Sequence, residues 1–109
     1  MLRVGVVGAG VIARDHLRCL LHVDGVRVVG VADPLLERAR ELADLVGARA
    51  TADYHDLLGQ VDAVWICTPP DLHAEQAVAF AEAGAHIFCE KPISVDLPSA
   101  DRMIEAARR

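Results

Sequence analysis

Val4-Gly5-Val6-Val7-Gly8-Ala9-Gly10-Val11-Ile12-Ala13 joins an apolar strand to the start of a helix through a G-x-G-x-x-A turn. The three small residues have separate tasks in such a turn: Gly8 permits the tight bend, Gly10 lets backbone approach a pyrophosphate, and Ala13 keeps the helix close to the sheet. The helix that follows points its positive end at the anion. Glycine also sits in strand-to-helix turns for purely conformational reasons, so the context decides. A second apolar run, Val26 to Ala32, ends at Asp33, close to the spacing of about 20 residues expected of an acid that binds the adenosine ribose.

The composition is compatible with one folded unit over residues 1–109. At 53% hydrophobic residues, the chain can build a core and is not a disordered sequence. A net charge of -5, with no basic stripe and no aromatic stacking platform, argues against a nucleic-acid partner. No apolar run approaches the roughly 18 residues needed to cross a bilayer. The first strand begins at residue 2 and leaves no room for a signal peptide, so the expected compartment is the cytoplasm. Cys19, Cys67 and Cys89 show neither pair spacing nor metal-ligand spacing with the histidines, and no metal site is expected. They read as small buried hydrophobes, with a reactive thiol at Cys67 or Cys89 as the other reading. Of eleven basic residues only Lys91 is a lysine.

Periodicity predicts strands over Leu2–Val7, Val26–Ala32, Ala48–Thr51, Val61–Cys67 and Ala85–Cys89. Helices are predicted over Val11–Val23, from Pro34 to a stop at Gly47, over Leu72–Ala83 and over Leu97–Arg108, with a short one from Asp53 to Leu58. In the second helix Leu35, Ala39, Leu42, Ala43 and Val46 should face the sheet. Strands alternating with amphipathic helices imply an α/β fold, a doubly wound parallel (Rossmann) sheet of about five strands with helices on both faces. Ligands of such a sheet lie beyond the carboxyl ends of its strands. Gly8 to Ala13, Asp33, Thr68 to His73 and Glu90 to Pro92 all fall there.

Each of these segments has a plain structural reading beside the functional one. Asp33 can cap the helix that starts at Pro34, bind ribose, or do both. If it binds ribose it repels a 2′-phosphate and favours NAD over NADP. Leu35 and Leu36 offer no phosphate partner, and Arg38 is over a turn away. Thr68-Pro69-Pro70 is a stiff strand exit or a rigid wall for a cofactor. His73 is a solvent-facing first-turn histidine or a residue of the crevice. Glu90 and Lys91 form a surface ion pair or part of the site.

Val6-Val7-Gly8-Ala9-Gly10-Val11-Ile12-Ala13, Ala32-Asp33-Pro34, Thr68-Pro69-Pro70-Asp71-Leu72-His73 and Cys89-Glu90-Lys91-Pro92-Ile93-Ser94 together resemble the amino-terminal domain of the glucose-fructose oxidoreductase and inositol dehydrogenase family (Gfo/Idh/MocA). The resemblance covers the whole chain. It implies a dinucleotide bound by Gly8, Gly10, Val11, Ile12, Asp33, Thr68, Pro69, His73, Glu90, Lys91 and Pro92. Lys91 would lie beside the nicotinamide and act on a sugar or polyol carbinol, as the one catalytic residue this chain offers.

Members of that family carry a second domain with a catalytic histidine in a D-x-x-x-H pattern, and this chain holds no such pattern. The expectation is therefore an NAD-binding domain whose hydride chemistry needs a separate substrate domain or partner. The alternative is a stand-alone dinucleotide-binding module without catalysis. A methyltransferase or flavin protein would explain Gly8, Gly10 and Asp33 but not Glu90-Lys91-Pro92. The sixth strand that the resemblance implies after the last helix is missing from the sequence pattern, which would leave the fifth at the sheet edge, and such an edge is a liability unless covered. Two chains would then associate through that edge or through the last helix; an excised domain with no special assembly is the other reading.

Overall fold

A computed structural model describes residues 2–20, 24–89 and 104–107. Five strands, β1 (Leu2–Val7), β2 (Val26–Ala32), β3 (Arg49–Thr51), β4 (Ala63–Ile66) and β5 (His86–Cys89), form one sheet in the order β3-β2-β1-β4-β5. Every neighbouring pair is parallel. The chain starts in the middle, winds outward through β2 and β3, then returns to lay β4 on the other side of β1. That reversal opens a crevice at the carboxyl ends of β1 and β4.

Helices α1 (Val11–Leu20) and α2 (Leu36–Val46) cover one face, where Ala13, Leu17, Ala39, Leu42 and Ala43 pack against Val6, Val28 and Val31. Helix α3 (Pro70–Glu82) covers the other, where Ala74, Ala77 and Phe80 meet Val7, Ala32, Val64 and Ile66. Adjacent strand residues such as Val6 and Val7 divide between the two cores because side chains alternate across a pleated strand. The predicted doubly wound sheet is therefore the observed one.

The crossover from β3 to β4 is made by a 3-10 turn, Tyr54–Leu57, capped as expected by Asp53, whose Oδ1 accepts from His55 N–H at 3.0 Å. So short a crossover can lie flat on the sheet only if the sheet makes room. Gly5 and Gly30 are paired across β1 and β2, just past a bulge where β2 carries one extra residue, Val29. A Cβ on Gly30 would collide with Leu57 Cδ2, and one on Gly5 would lie 3.1 Å from Val61 Cγ1. The two glycines are thus a saddle for Leu57.

Three expectations need correction. Helix α2 starts at Leu36 rather than Pro34, with Leu35 as a cap residue that makes no side-chain bond. Leu35 is consequently 57% exposed and does not face the sheet. Helix α3 starts at Pro70, two residues earlier than predicted, since a proline in the first turn loses no hydrogen bond there. Of the predicted last helix, 104–107 is helical and Ala106 is buried, while the rest of 97–108 lies outside the described residues.

Candidate functional site: a crevice between two loops

The loop from β1 to α1 is held from below. Gly8 N–H donates to Ala32 O at 2.7 Å and Cys67 N–H to Val7 O at 2.8 Å, so the loop leaves the sheet squarely between β2 and β4. Gly8 has φ +94°, and a Cβ there would lie 2.9 Å from the backbone carbon and oxygen of Cys67. The fold itself demands this glycine. Gly10 is different: it is exposed, its φ is not positive, and a Cβ would meet nothing within 4 Å. Nothing inside the described chain requires a glycine there, which is what backbone reserved for an external ligand looks like. Val11 and Ile12 open α1 directly behind it, and Ala13 is fully buried.

Asp33 follows β2 and is 8% exposed. Its Oδ2 accepts from Ala9 N–H at 2.8 Å and its Oδ1 from Leu35 N–H at 2.8 Å. It is not the N-cap of α2, which begins too late. Bonding to the amide two residues on, Asp33 makes an Asx-type turn that keeps the chain extended through Leu35. Its own N–H donates to Thr51 O, tying it to the end of β3.

The loop from β4 to α3 is held by buried polar groups. His73, 1% exposed, is one of the largest fully buried side chains. Its Nε2 lies 2.6 Å from Thr68 O, and because a carbonyl can only accept, this nitrogen carries the proton. Thr68 Oγ1 donates to Gln76 Oε1 at 2.5 Å. His73 and Gln76 are one turn apart on α3 and grip the carbonyl and hydroxyl of one residue. The solvent-facing reading of His73 is therefore wrong, and the histidine acts on the crevice through Thr68. Pro69, exposed, precedes α3 at the lip.

Between the segment that follows β2 and the loop from β4 to α3 lies a cleft, open to solvent, walled by Asp33, Pro34, Tyr54, Thr68, Leu72 and Gln76 among others; the glycine loop does not line it. Tyr54 stacks on His55, with ring centroids 4.1 Å apart. Burial pushes its phenol above the ordinary range, helped by the Glu75 and Asp53 carboxylates. The His55 backbone N–H and ring hold the Asp53 carboxyl below its usual value. Gln76 and Tyr54 were not singled out from the sequence, although Gln76 stands one turn beyond both Leu72 and His73. Glu90, Lys91 and Pro92 lie outside the described residues. Cys67 packs against the core under α1 and α2 but is only partly buried rather than buried as expected, and the side chains of Cys19 and Cys89 lie outside the described set.

A glycine loop with an open position aimed at solvent, a helix N-terminus behind it and a carboxylate beside it fit a dinucleotide. The model of an oxidoreductase family with an NAD-binding Rossmann fold, Gfo/Idh/MocA, matches residues 2–109. The chain belongs to this family. Its relatives include the myo-inositol 2-dehydrogenase of Thermotoga maritima, 37% identical over 111 residues, 99% of this chain and 33% of that protein. The WlbA dehydrogenase from Bordetella pertussis, solved with NADH and UDP-GlcNAcA, superposes with a TM-score of 0.92 at 33% identity, over 98% of this chain and 34% of that one. KijD10, a 3-ketoreductase from Actinomadura kijaniata solved with NADP and TDP-benzene, superposes with a TM-score of 0.90 at 34% identity, over 98% of this chain and 34% of its own. The chain thus spans about a third of the length of these Gfo/Idh/MocA relatives. Among the described residues no helix is long and apolar enough to cross a membrane, and no group of three His, Cys, Asp or Glu could hold a metal ion.

Proposed function

We propose that residues 1–109 are one dinucleotide-binding domain of an oxidoreductase that prefers NAD to NADP and acts on a sugar or polyol. The observation that carries this reading is Gly10, whose missing side chain answers to no neighbour within 4 Å among the described residues. The exposed backbone there and the N-terminus of α1 would bind the pyrophosphate. Asp33 would accept from ribose hydroxyls and repel a 2′-phosphate. Pro34, Leu35 and Leu36 bring no cation to offset that repulsion. Thr68 and Pro69, set in place by His73, would border the cofactor from the other side. NAD, when bound, supplies the hydride acceptor.

The chain leaves β5 at the same end of the sheet as Asp33 and Thr68, because β5 runs parallel to β4 and ends at Cys89. This supports a site role for Glu90, Lys91 and Pro92, with Lys91 polarising or orienting the substrate carbinol. The substrate half would come from a further domain or a partner, as the length of the relatives suggests. A homodimer through β5 or the last helix is supported by the place of β5 at the sheet edge and by Phe88, 50% exposed upon it. The cysteine pattern supports a cytoplasmic location.

Calorimetric titration with NAD, NADP and S-adenosylmethionine tests the reading. NAD should bind most tightly; no heat with either dinucleotide refutes it. A screen of sugars and polyols, followed by NADH absorbance, then separates an enzyme from a binding module. Lys91→Ala should abolish any turnover found while NAD still binds.

A further inference from the structure

Asp33 is committed to the protein before any ribose arrives. Its two oxygens accept from Ala9 N–H and Leu35 N–H, each at 2.8 Å, and the residue is 8% exposed. Ala9 is the residue between the two loop glycines. The strand ends at Val7, Gly8 N–H donates to Ala32 O, and α1 begins only at Val11. The carboxylate therefore gives the middle of the loop the acceptor that a neighbouring strand gives Gly8.

We propose that Asp33 is the positioning residue of the glycine loop, latching Ala9 so that the loop holds its pyrophosphate-binding shape before the cofactor binds. This rests on the dinucleotide reading above and deepens it. Each carboxylate oxygen keeps a further lone pair, so ribose hydroxyls can be accepted without releasing the latch. Reading of the ribose and order of the loop then depend on one side chain. A substitution that removes the repulsion of a 2′-phosphate also frees the loop on which both dinucleotides rest, and preorganisation is lost for both. Asparagine is no substitute, since Ala9 and Leu35 bond different carboxylate oxygens and one of those two places would be taken by an NH2 group, which cannot accept.

The test is amide hydrogen exchange of the cofactor-free protein, read by NMR at Gly8, Ala9 and Leu35, together with NADH and NADPH affinities, for wild type, Asp33→Ala and Asp33→Asn. In Asp33→Ala, Ala9 should exchange roughly tenfold faster or more, as loss of a charge-assisted bond implies. Gly8, bonded to strand backbone, should keep its protection and so report an intact fold. In Asp33→Asn the loss should fall on Ala9 or on Leu35. NADPH affinity should drop along with NADH affinity in Asp33→Ala. Unchanged exchange at both amides, or tighter NADPH binding in Asp33→Ala, overturns the latch. If Asp33→Ala does not fold, the exchange result for Asp33→Asn decides. A wild-type protein that binds neither dinucleotide removes the functional reading instead, and exchange at Ala9 then judges the latch by itself.

Discussion

The two ends of the sheet are held together by opposite means. At the carboxyl ends, Asp33, His73 and Gln76 are buried, and Asp33 and His73 bond backbone groups of loops. At the amino ends, Arg3 and Asp62 form an exposed two-pronged pair, with Arg3 Nη2 to Asp62 Oδ1 at 3.1 Å and the Arg3 backbone N–H to Asp62 Oδ2 at 2.8 Å. Both arrangements bond a side chain to backbone at an end of the sheet. Only the first is made by buried side chains, so there each polar group depends most on its partner for its place. The carboxyl end is built to fix loop backbone, and the amino end only to keep β1 and β4 in register.

Substitutions at the carboxyl end should accordingly have the largest effects, beginning with Gly8→Ala. The new Cβ meets the Cys67 backbone at 2.9 Å, and the φ of +94° suits no L side chain. We expect a loss of about 3 kcal/mol or more in urea unfolding, together with loss of dinucleotide binding. Next comes His73→Ala. It empties a fully buried site and strands the Thr68 carbonyl, at a cost of about 2–4 kcal/mol. A His73→Ala protein as stable as wild type would mean that the β4–α3 loop holds itself.

Much of this division was legible in the sequence, and what was missed has identifiable causes. Continuous apolar strands and turn glycines such as Gly47 placed the sheet and its helices, since both signals are local. The start of α2 was misplaced because an aspartate before a proline can serve as a helix cap or make an Asx-type turn, and Asp33 makes the turn, bonding Leu35 N–H and holding the chain extended past Pro34. The burial of His73 was equally hidden, because α3 is rich in alanine all round and its pattern does not say which face turns inward. The saddle of Gly5 and Gly30 depends on a pairing across two strands and on the bulge at Val29. Asp33 as a carboxylate at the crevice was readable from its spacing to the loop; its grip on Ala9 required coordinates.

Gly10→Ala turns the comparison on the carboxyl end itself. No atom of the described chain lies within 4 Å of the new methyl group, so stability should stay within about 0.5 kcal/mol of wild type. Dinucleotide affinity should nonetheless fall roughly tenfold or more, because the methyl occupies the space the phosphates approach. Calorimetry and thermal melts on one preparation check both halves. A variant that binds as wild type does would show that the open space above Gly10 is not the pyrophosphate site.

The smallest effect belongs to Asp62→Asn at the amino end, and its form is a pH dependence. The Arg3 side chain, then its backbone N–H, holds the Asp62 carboxyl below its ordinary value of 3.8. A carboxyl with a lowered folded-state pKa adds stability that is fully present above the unfolded value and disappears as pH falls through the folded one. Wild type should therefore lose this contribution only below about pH 4. At neutral pH Asp62→Asn should change little, because the pair is exposed and the asparagine oxygen can still accept the Arg3 backbone N–H. The variant's stability should fall less steeply than that of wild type on acidification, though not flatten, since the Asp53 carboxyl is also held low by His55 and titrates in the same direction. Equal acid slopes for Asp62→Asn and wild type would mean that the amino-end pair orders two side chains without stabilising the sheet.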